Sequence, residues 1–480
     1  MSEPYFILLS TPTENTVKVT DAEGNFLGNF ITPDSGILGA DSLALGDDGT
    51  LYLSGVSSQN VLRFNPLTGD VIDQFAPDNP DDLGAVPGIT FGPDGNLYVS
   101  NFASFGGPDL NTGDVIINFD ISDNIQVFDG DTGDLINTFE FPNPGPAVPI
   151  GLDFGEDGYL YATSRLNDAV YRYNVETGEV LETEGFLNSS DGGLDGPADI
   201  LFGPDGNTYI SSLDSNQILR YDAAGNFIDV YAEFDPATEL QGPSGLQLSP
   251  DGEELVVTGF QSHNAARLDF ATGEVIDVFI PVGGDEFFGG PGSRNAGLLI
   301  LTAEDLGIQP EDVFGTTGND DIVVNSDATN PEQFFPTPKN VFADLGDDLI
   351  DASVANGGNT LYGGEGNDTF FLGYRDTVNG DGGNDRFFVE SGGRNIITGG
   401  EGADAFWIAN AEVVDAANII TDFDESDVIG IGGLGISSTD GLGFTQEGED
   451  VSILYNSTSI ATVQGIQVDE LTAEGNFVFA

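Results

Sequence analysis

Six glycine-bearing phrases in the last third of the chain, five of them with an acid, recur at a spacing suited to holding a hard cation. GTTGNDDIV begins at Gly315, ADLGDDLID at Ala343, VANGGNTLY at Val354, GGEGNDTFF at Gly363, GDGGNDRFF at Gly380 and GGEGADAFW at Gly399. Glycine admits a positive φ and exposes carbonyl oxygens, aspartate adds a hard carboxylate oxygen, and the apolar residue that follows turns inward. Glycine and aspartate are poor strand formers. Such phrases need a ligand whose binding free energy becomes folding free energy.

GGEGNDTFF and GGEGADAFW satisfy every fixed position of the pattern GGxGxDxUx, where U is a large apolar residue. In this the tail resembles the RTX (hemolysin-type) calcium-binding repeat family. The resemblance implies an all-β tail, a parallel β-roll of calcium-binding nonapeptides over residues 315–408, with Ca2+ as cofactor. It carries a metal-binding role onto Asp348, Gly363, Gly364, Gly366, Asp368, Gly380, Gly382, Asp385, Gly399, Gly400, Gly402 and Asp404. A roll of this kind takes two nonapeptides per coil, so ligands sharing an ion recur about every eighteen residues. Asp348, Asp368, Asp385 and Asp404 are 20, 17 and 19 residues apart and are predicted to stack on one edge. Asn359, Asp376 and Arg394, 17 and 18 apart, are predicted to mark an opposite edge that binds calcium poorly. Ile350, Leu361, Phe370, Val378, Phe387, Ile396 and Phe406 are the expected inward row. Residues 409–480, from NIITDFDESDVIGI to the terminal FVFA, resemble the segment that follows such repeats in bacterial calcium-binding proteins. That likeness implies a β-rich cap and an uncleaved address for type I secretion.

The composition narrows the partners. Against 81 acidic residues stand 11 basic ones, a formal net charge of -70 over 480 residues. Self-repulsion of that size opposes compaction unless cations are bound, and it argues against nucleic acid and anionic membrane surfaces as partners. With no cysteine there are neither disulfides nor thiolate metal sites. The start, MSEPYFILLS, has no positive n-region and is not read as a signal peptide. No run of about 18 apolar residues occurs, so no membrane span is expected.

Ahead of the tail and an acidic join at 303–314, residues 1–302 repeat a different phrase. LALGDDGTLYLS at Leu43 recurs as ITFGPDGNLYVS at Ile89, LDFGEDGYLYATS at Leu152, ILFGPDGNTYISS at Ile200 and LQLSPDGEELVVTG at Leu246. Each reads as strand, Asp-Gly turn, strand, where aspartate caps its own turn. A third and a fourth strand follow around a second turn glycine, giving four strands per roughly 46 residues, which is a propeller blade. Residues 5–31 lack the innermost strand of such a blade, and AGLLIL from Ala296 is predicted to supply it and close a ring of six. The pattern resembles the NHL and lactonase-like propeller group. Lys18, Arg63, Arg172, Arg220 and Arg267 recur before the second turn glycine, with Val127 the exception, and are expected to pair with acids across strands. The third repeat is lengthened by residues 102–123, read as surface decoration, a subunit contact or a lid.

These features describe a secreted, calcium-binding extracellular protein. The leading reading is a non-catalytic surface-layer, matrix, filament or adhesion component, with self-association into a homo-oligomer or filament and cell-surface polysaccharide as candidate partners. The single histidine, His263, sits in QSHNAA and is read as a bystander. The alternatives are carbohydrate binding or a lactonase-like hydrolase, in which a cation in the central channel is held by oxygens near the starts of inner strands. Asp41, Asp199 and Asn295 are candidates there, and no spacing singles one out.

Overall fold

The computed structural model describes residues 5–480 apart from 23, 25, 77–82, 103–104, 109–114, 118–122, 143–146, 191, 237–238, 281–296, 309–310, 325–337, 354–356, 390–392, 411–413 and 415. The described chain divides into two compact units, Tyr5–Leu306 and Gly307–Ala480.

The first unit is a six-bladed β-propeller of antiparallel sheets. In the fifth blade Pro197–Phe202, Thr208–Ser212, Gln217–Tyr221 and Phe227–Glu233 pair in that order. The Asp-Gly turns form because Asp205 accepts the backbone N–H of Asn207 at 3.1 Å while Gly206 takes φ 78°. The same turn recurs at Asp48, Asp94, Asp157 and Asp251. A tyrosine that follows three of these turns joins one blade to the next: Tyr52 meets Phe91, Tyr98 meets Phe154 and Tyr161 meets Phe202, edge to face at 4.8–5.1 Å. Each such pair contributes about 0.5–1.5 kcal/mol beyond its buried area. Ring closure is non-local. Leu298–Thr302 pairs antiparallel with Tyr5–Thr11, becoming the inner strand of the first blade.

Three of the five repeated cations are cross-strand partners of acids, while Lys18 pairs with Glu14 four residues back at 3.0 Å and Arg172 with Asp157 and Glu182. Arg63 lies opposite Asp73, Arg220 opposite Asp229 and Arg267 opposite Asp277, and each guanidinium grips both carboxylate oxygens. Each also lies over an aromatic ring, Phe75, Tyr231 or Phe279. Of the insertion at 102–123, the hairpin of Phe105–Pro108 with Val115–Ile117 is described, and most of the rest lies outside the described residues.

The second unit carries two sheets whose strands alternate along the chain. One runs Glu311–Phe314, Lys339–Phe342, Thr360–Glu365, Thr377–Gly382, Ile396–Thr398, Asn418–Ile420 and Thr458–Val463, parallel throughout, then adds Asp450–Tyr455 and Gly443–Glu447 antiparallel. The other runs Asp321–Val323, Leu349–Asp351, Thr369–Leu372, Arg386–Val389, Ala405–Asn410, Val428–Gly432 and Phe477–Phe479, all parallel. Their inner faces share one core, in which Phe370, Phe387 and Phe406 stack ring on ring at 5.0 and 5.2 Å. Ile350, Leu361 and Val378 are buried in the same core.

Three sequence expectations shift here. Ile397, not Ile396, is the buried member of its strand, because the step from Val378 to its core neighbour is 19 residues rather than 18. The join at 303–314 is partly strand, since Glu311–Phe314 already pairs with Lys339–Phe342. No break falls at 408. Strands at 418–420, 428–432 and 477–479 continue the two sheets of the preceding residues.

Candidate metal centre and propeller channel

The phrases with which the sequence reading began fall on one edge of the second unit. Asp348, Asp368, Asp385 and Asp404 are each buried at the turn before a strand of the seven-stranded sheet, one per coil. Their carboxylates are chained by the backbone. The N–H of Asp320 donates to Oδ1 of Asp348 at 2.6 Å, that of Asp348 to Asp368 at 2.7 Å, and that of Asp368 to Asp385 at 2.8 Å. Asp385 donates to Asp404 at 2.8 Å, and Asp404 to Asp427 at 2.9 Å. Asp427 ends the column, because its second oxygen accepts the N–H of Asp424 at 2.8 Å.

The other oxygen of three of these groups is left over. Oδ2 of Asp348, Asp368 and Asp385 is buried and accepts no hydrogen bond among the described residues. A methyl group on Gly363 would collide with Oδ2 of Asp368, one on Gly380 with Asp385, and one on Gly399 with Asp404. The first glycine of each phrase therefore keeps open the space into which the free oxygen points. Burial is the main reason the carboxyls are pushed up, Asp368 to about 6, Asp385 to about 8 and Asp427 to about 6, with Asp348 and Asp404 also raised. Neighbouring carboxylates add to the shift, and the donated N–H groups oppose it.

The fourth position of each phrase brings backbone against backbone. Gly366, Gly383 and Gly402 take φ 145°, 145° and 148°, and a methyl group on Gly383 would strike the carbonyl oxygen of Gly366. Gly382 does not hold this place. It pairs with Glu365 and occupies the position of Glu401 in the next coil, while Asp381, at φ 67°, stands where Gly364 and Gly400 do.

The opposite edge carries amides. Asn359, through its backbone N–H at 3.1 Å and its side-chain nitrogen at 2.8 Å, donates to Asp376. Asp376 N–H donates to Asn395 at 2.8 Å, and Asn395 donates to Asn418 through both nitrogens. Asn395 is thus the column residue, and the assignment to Arg394 is corrected by one position. The cause is the same long step that displaces Ile396, 19 residues from Asp376 to Asn395. Burial pushes the Asp376 carboxyl up to about 7.

Among the described residues no three His, Cys, Asp or Glu side chains converge so as to hold a metal ion. A cation on the aspartate edge would therefore draw on backbone carbonyls as well as carboxylates, and both are the hard oxygens that calcium takes. Asp427 was missed because Asp422, Phe423 and Glu425 stand where the other phrases carry glycine before the aspartate. Its only signal is the aspartate followed by Val428 and buried Ile429, matching Asp404, Ala405 and Phe406.

The propeller has its own acidic feature, a central cavity of about 760 Å³. Asp41 and Asp199 line it, and so does Asp153, which the sequence reading did not single out. Asn295 lies outside the described residues. All three aspartates are half-buried, and each lines the cavity. Burial first, then the nearby Asp199 carboxylate, pushes Asp153 up to about 7. Burial pushes Asp199 up to about 6 and Asp41 well above the ordinary carboxylate value. His263 sits at φ 56° in a tight turn, its N–H donating to the carbonyl of Gly259 at 2.9 Å.

No family model matches the chain, and no curated protein matches it. Among solved structures it is similar to virginiamycin B lyase from Staphylococcus aureus, at 20% identity over 56% of this chain and 82% of that one, TM-score 0.39. A nidogen/laminin complex matches at 16% identity over 62% and 98%, TM-score 0.43. A gluconolactonase from Xanthomonas campestris matches at 15% identity over 52% and 80%, TM-score 0.39. These neighbours are propeller proteins. The likenesses concern the fold and say nothing of what this chain does.

Proposed function

We propose that this protein is a secreted, calcium-binding extracellular protein of the RTX type, whose second unit is a β-roll held together by calcium. The observation that carries the reading is the column of buried aspartates in which Oδ2 of Asp348, Asp368 and Asp385 accepts nothing. A buried carboxylate oxygen without a partner costs free energy, and three in a row are a net cost unless a cation joins them. Asp348, Asp368, Asp385 and Asp404 would hold calcium, together with carbonyls of the glycine-rich turns around Gly363, Gly364, Gly366, Gly380, Gly383, Gly399, Gly400 and Gly402. When bound, calcium supplies positive charge between coils that otherwise repel.

The chain's own residues do the rest. The N–H of each column residue fixes one oxygen of the next carboxylate, so the free oxygen has a set direction before any ion arrives. Such preorganisation lowers the cost of binding. Extracellular calcium modules work near ~0.1 to 1 mM, so the tail would be loose where calcium is scarce and compact outside the cell. The residues after the repeats would then serve type I secretion, with folding delayed until export.

For the whole molecule we favour a non-catalytic surface-layer, matrix, filament or adhesion role, with calcium bridging acidic surfaces of neighbouring copies or of cell-surface polysaccharide. The net charge of -70 supports this, since a divalent cation offsets the repulsion that keeps such chains apart. Sedimentation velocity with chelator, and then across ~0.1 to 10 mM calcium, tests both halves. An expanded monomer that becomes large, chelator-reversible species is the expected result. A monomer that compacts without associating would end the assembly proposal, and a sedimentation coefficient indifferent to calcium would end the calcium reading.

A further inference from the structure

The propeller channel holds carboxylates that the calcium reading does not use. Its mouth is built by repetition from the first residue after the second strand of each blade: Pro12, Val56, Phe102, Arg165, Leu213 and Phe260. Five are apolar, and the sixth, Arg165, is tied to Asp214 at 2.9 Å. Below this rim the register staggers three acids in depth. Asp41 follows Ala40, which pairs with Gly55 at the end of its strand; Asp199 lies two residues beyond Pro197, which pairs with Ser212; Asp153 pairs with Tyr161 further in.

The three differ in what already occupies them. Asp199 is engaged on both oxygens, by the N–H groups of Ile200 at 3.0 Å and Leu246 at 2.9 Å, and so ties the fifth blade to the sixth. Asp153 accepts only the N–H of Phe154, at 2.8 Å. The Asp41 side chain, half-buried and nearest the rim, lines the cavity and accepts no hydrogen bond from any described residue. A carboxylate that lines the cavity with no donor from the protein is matched by a ligand carrying both a donor and a positive charge.

We propose that the channel binds a small organic ammonium ion, its charged head on Asp41 with Asp153 beyond it and its apolar body against Val56, Phe102, Leu213 and Phe260. Three observations select this class. Arg165 is the one cation lining the cavity among the described residues, and it is already paired. The acids sit at different depths and form no three-sided cluster for a bare metal ion. An apolar rim adds nothing to the binding of an inorganic ion but shelters a hydrocarbon body, and a cavity of about 760 Å³ is of the size that holds one small molecule.

The test uses the full chain with calcium present, in about 0.3 M sodium chloride to screen general attraction of cations to so acidic a protein. Phenethylammonium is the probe, and phenethyl alcohol its neutral counterpart. Calorimetry should show one saturable site for the ammonium ion, binding weakened by roughly tenfold or more in Asp41→Asn, and no site for the alcohol. Asp41→Asn keeps the side-chain shape and removes a desolvated charge, so its melting temperature should be at or above that of the parent, which separates lost binding from lost folding. Phe260→Ala should weaken binding by a smaller factor. Equal affinity in Asp41→Asn, equal binding of the alcohol, or a channel that takes calcium and never the ammonium ion would overturn the proposal.

Discussion

Aspartate does two different jobs in the two units, and the contrast lies in where its second oxygen goes. In the propeller turns both oxygens are used locally: Asp205 accepts the N–H of Asn207, the side-chain nitrogen of Asn207 and the hydroxyl of Tyr209 at 2.9 Å. Asp94 and Asp157 treat Tyr98 and Tyr161 in the same way. Those acids are exposed or half-buried and complete without any partner from solution. In the second unit Asp385 gives one oxygen to the N–H of Asp368 and buries the other against Gly380 with nothing to accept. Similar glycine-aspartate phrases thus yield a self-sufficient hairpin in one unit and an incomplete edge in the other.

If calcium holds the aspartate edge as proposed, the largest expected effect comes from removing it. The single tryptophan, Trp407, stacks on Phe388 in the second unit and reports on that unit alone. Chelation should abolish its cooperative melting transition while the propeller's tyrosine signal persists, and calcium at a hundredfold excess over Kd should restore about 2.7 kcal/mol per site. Loss of both transitions together would break the contrast.

Next in size is a pair of adjacent glycines. Gly383→Ala places a methyl group against the carbonyl of Gly366 at a φ of 145° and should cost about 3 kcal/mol or more, whereas Gly382→Ala meets nothing closer than 3.6 Å and should stay within about 0.5 kcal/mol. Urea melts of the two variants in calcium would decide it, and equal costs would mean that the register described for this edge is wrong.

A third comparison turns on sign. Above about pH 8, where the Asp385 carboxyl is ionised, Asp385→Asn removes a buried, partly unsatisfied charge, so without calcium it should stabilise the tail by about 1 kcal/mol, and with calcium it should destabilise it by more than that. Asp205→Asn in a propeller turn should cost about 1 kcal/mol, the same with and without calcium. Thermal melts of both variants, each with and without calcium, would show whether the sign changes in one unit only.

The smallest effect is in pH. Asp153 and Asp199 have folded-state pKa values raised to about 7 and about 6. The stability they contribute is fully present below the ordinary carboxylate value near ~4 and is lost as pH rises through about 6 and 7. The propeller's melting temperature should therefore fall modestly between about pH 5 and pH 8, and Asp153→Asn should flatten that slope. A melting temperature that rises over this interval would contradict the burial of the channel acids.

How much was legible differs between the units for a physical reason. Blade number, hairpin turns and cross-strand arginines could be read because each hairpin is specified by residues within a dozen positions of one another, and the closing strand at Leu298 because the first repeat lacks its inner strand. The acidic column was legible in its four main members because each phrase carries its own aspartate. Arg394 was misassigned by one residue because the step length varies: steps of 17, 19 and 20 residues all fit when a turn absorbs the difference, and period counting cannot say which turn does. Gly382 was misassigned within its own phrase, GDGGNDRFF, where two adjacent glycines, Gly382 and Gly383, compete for the fourth position. Asp153 was invisible because its strand, PIGLDF, places it where other blades have Thr90, Leu201 and Gln247.

The sequence by itself determined the local chemistry: where the chain turns, which residues alternate inward, and which phrases carry a hard oxygen. Only the tertiary structure decided which oxygens remain without partners. Satisfaction of a buried carboxylate depends on N–H groups supplied by the neighbouring strand or blade, 17 to 28 residues away in the column and 47 away between Asp199 and Leu246. Those donors are placed by register, and register follows from the whole sheet rather than from any single phrase.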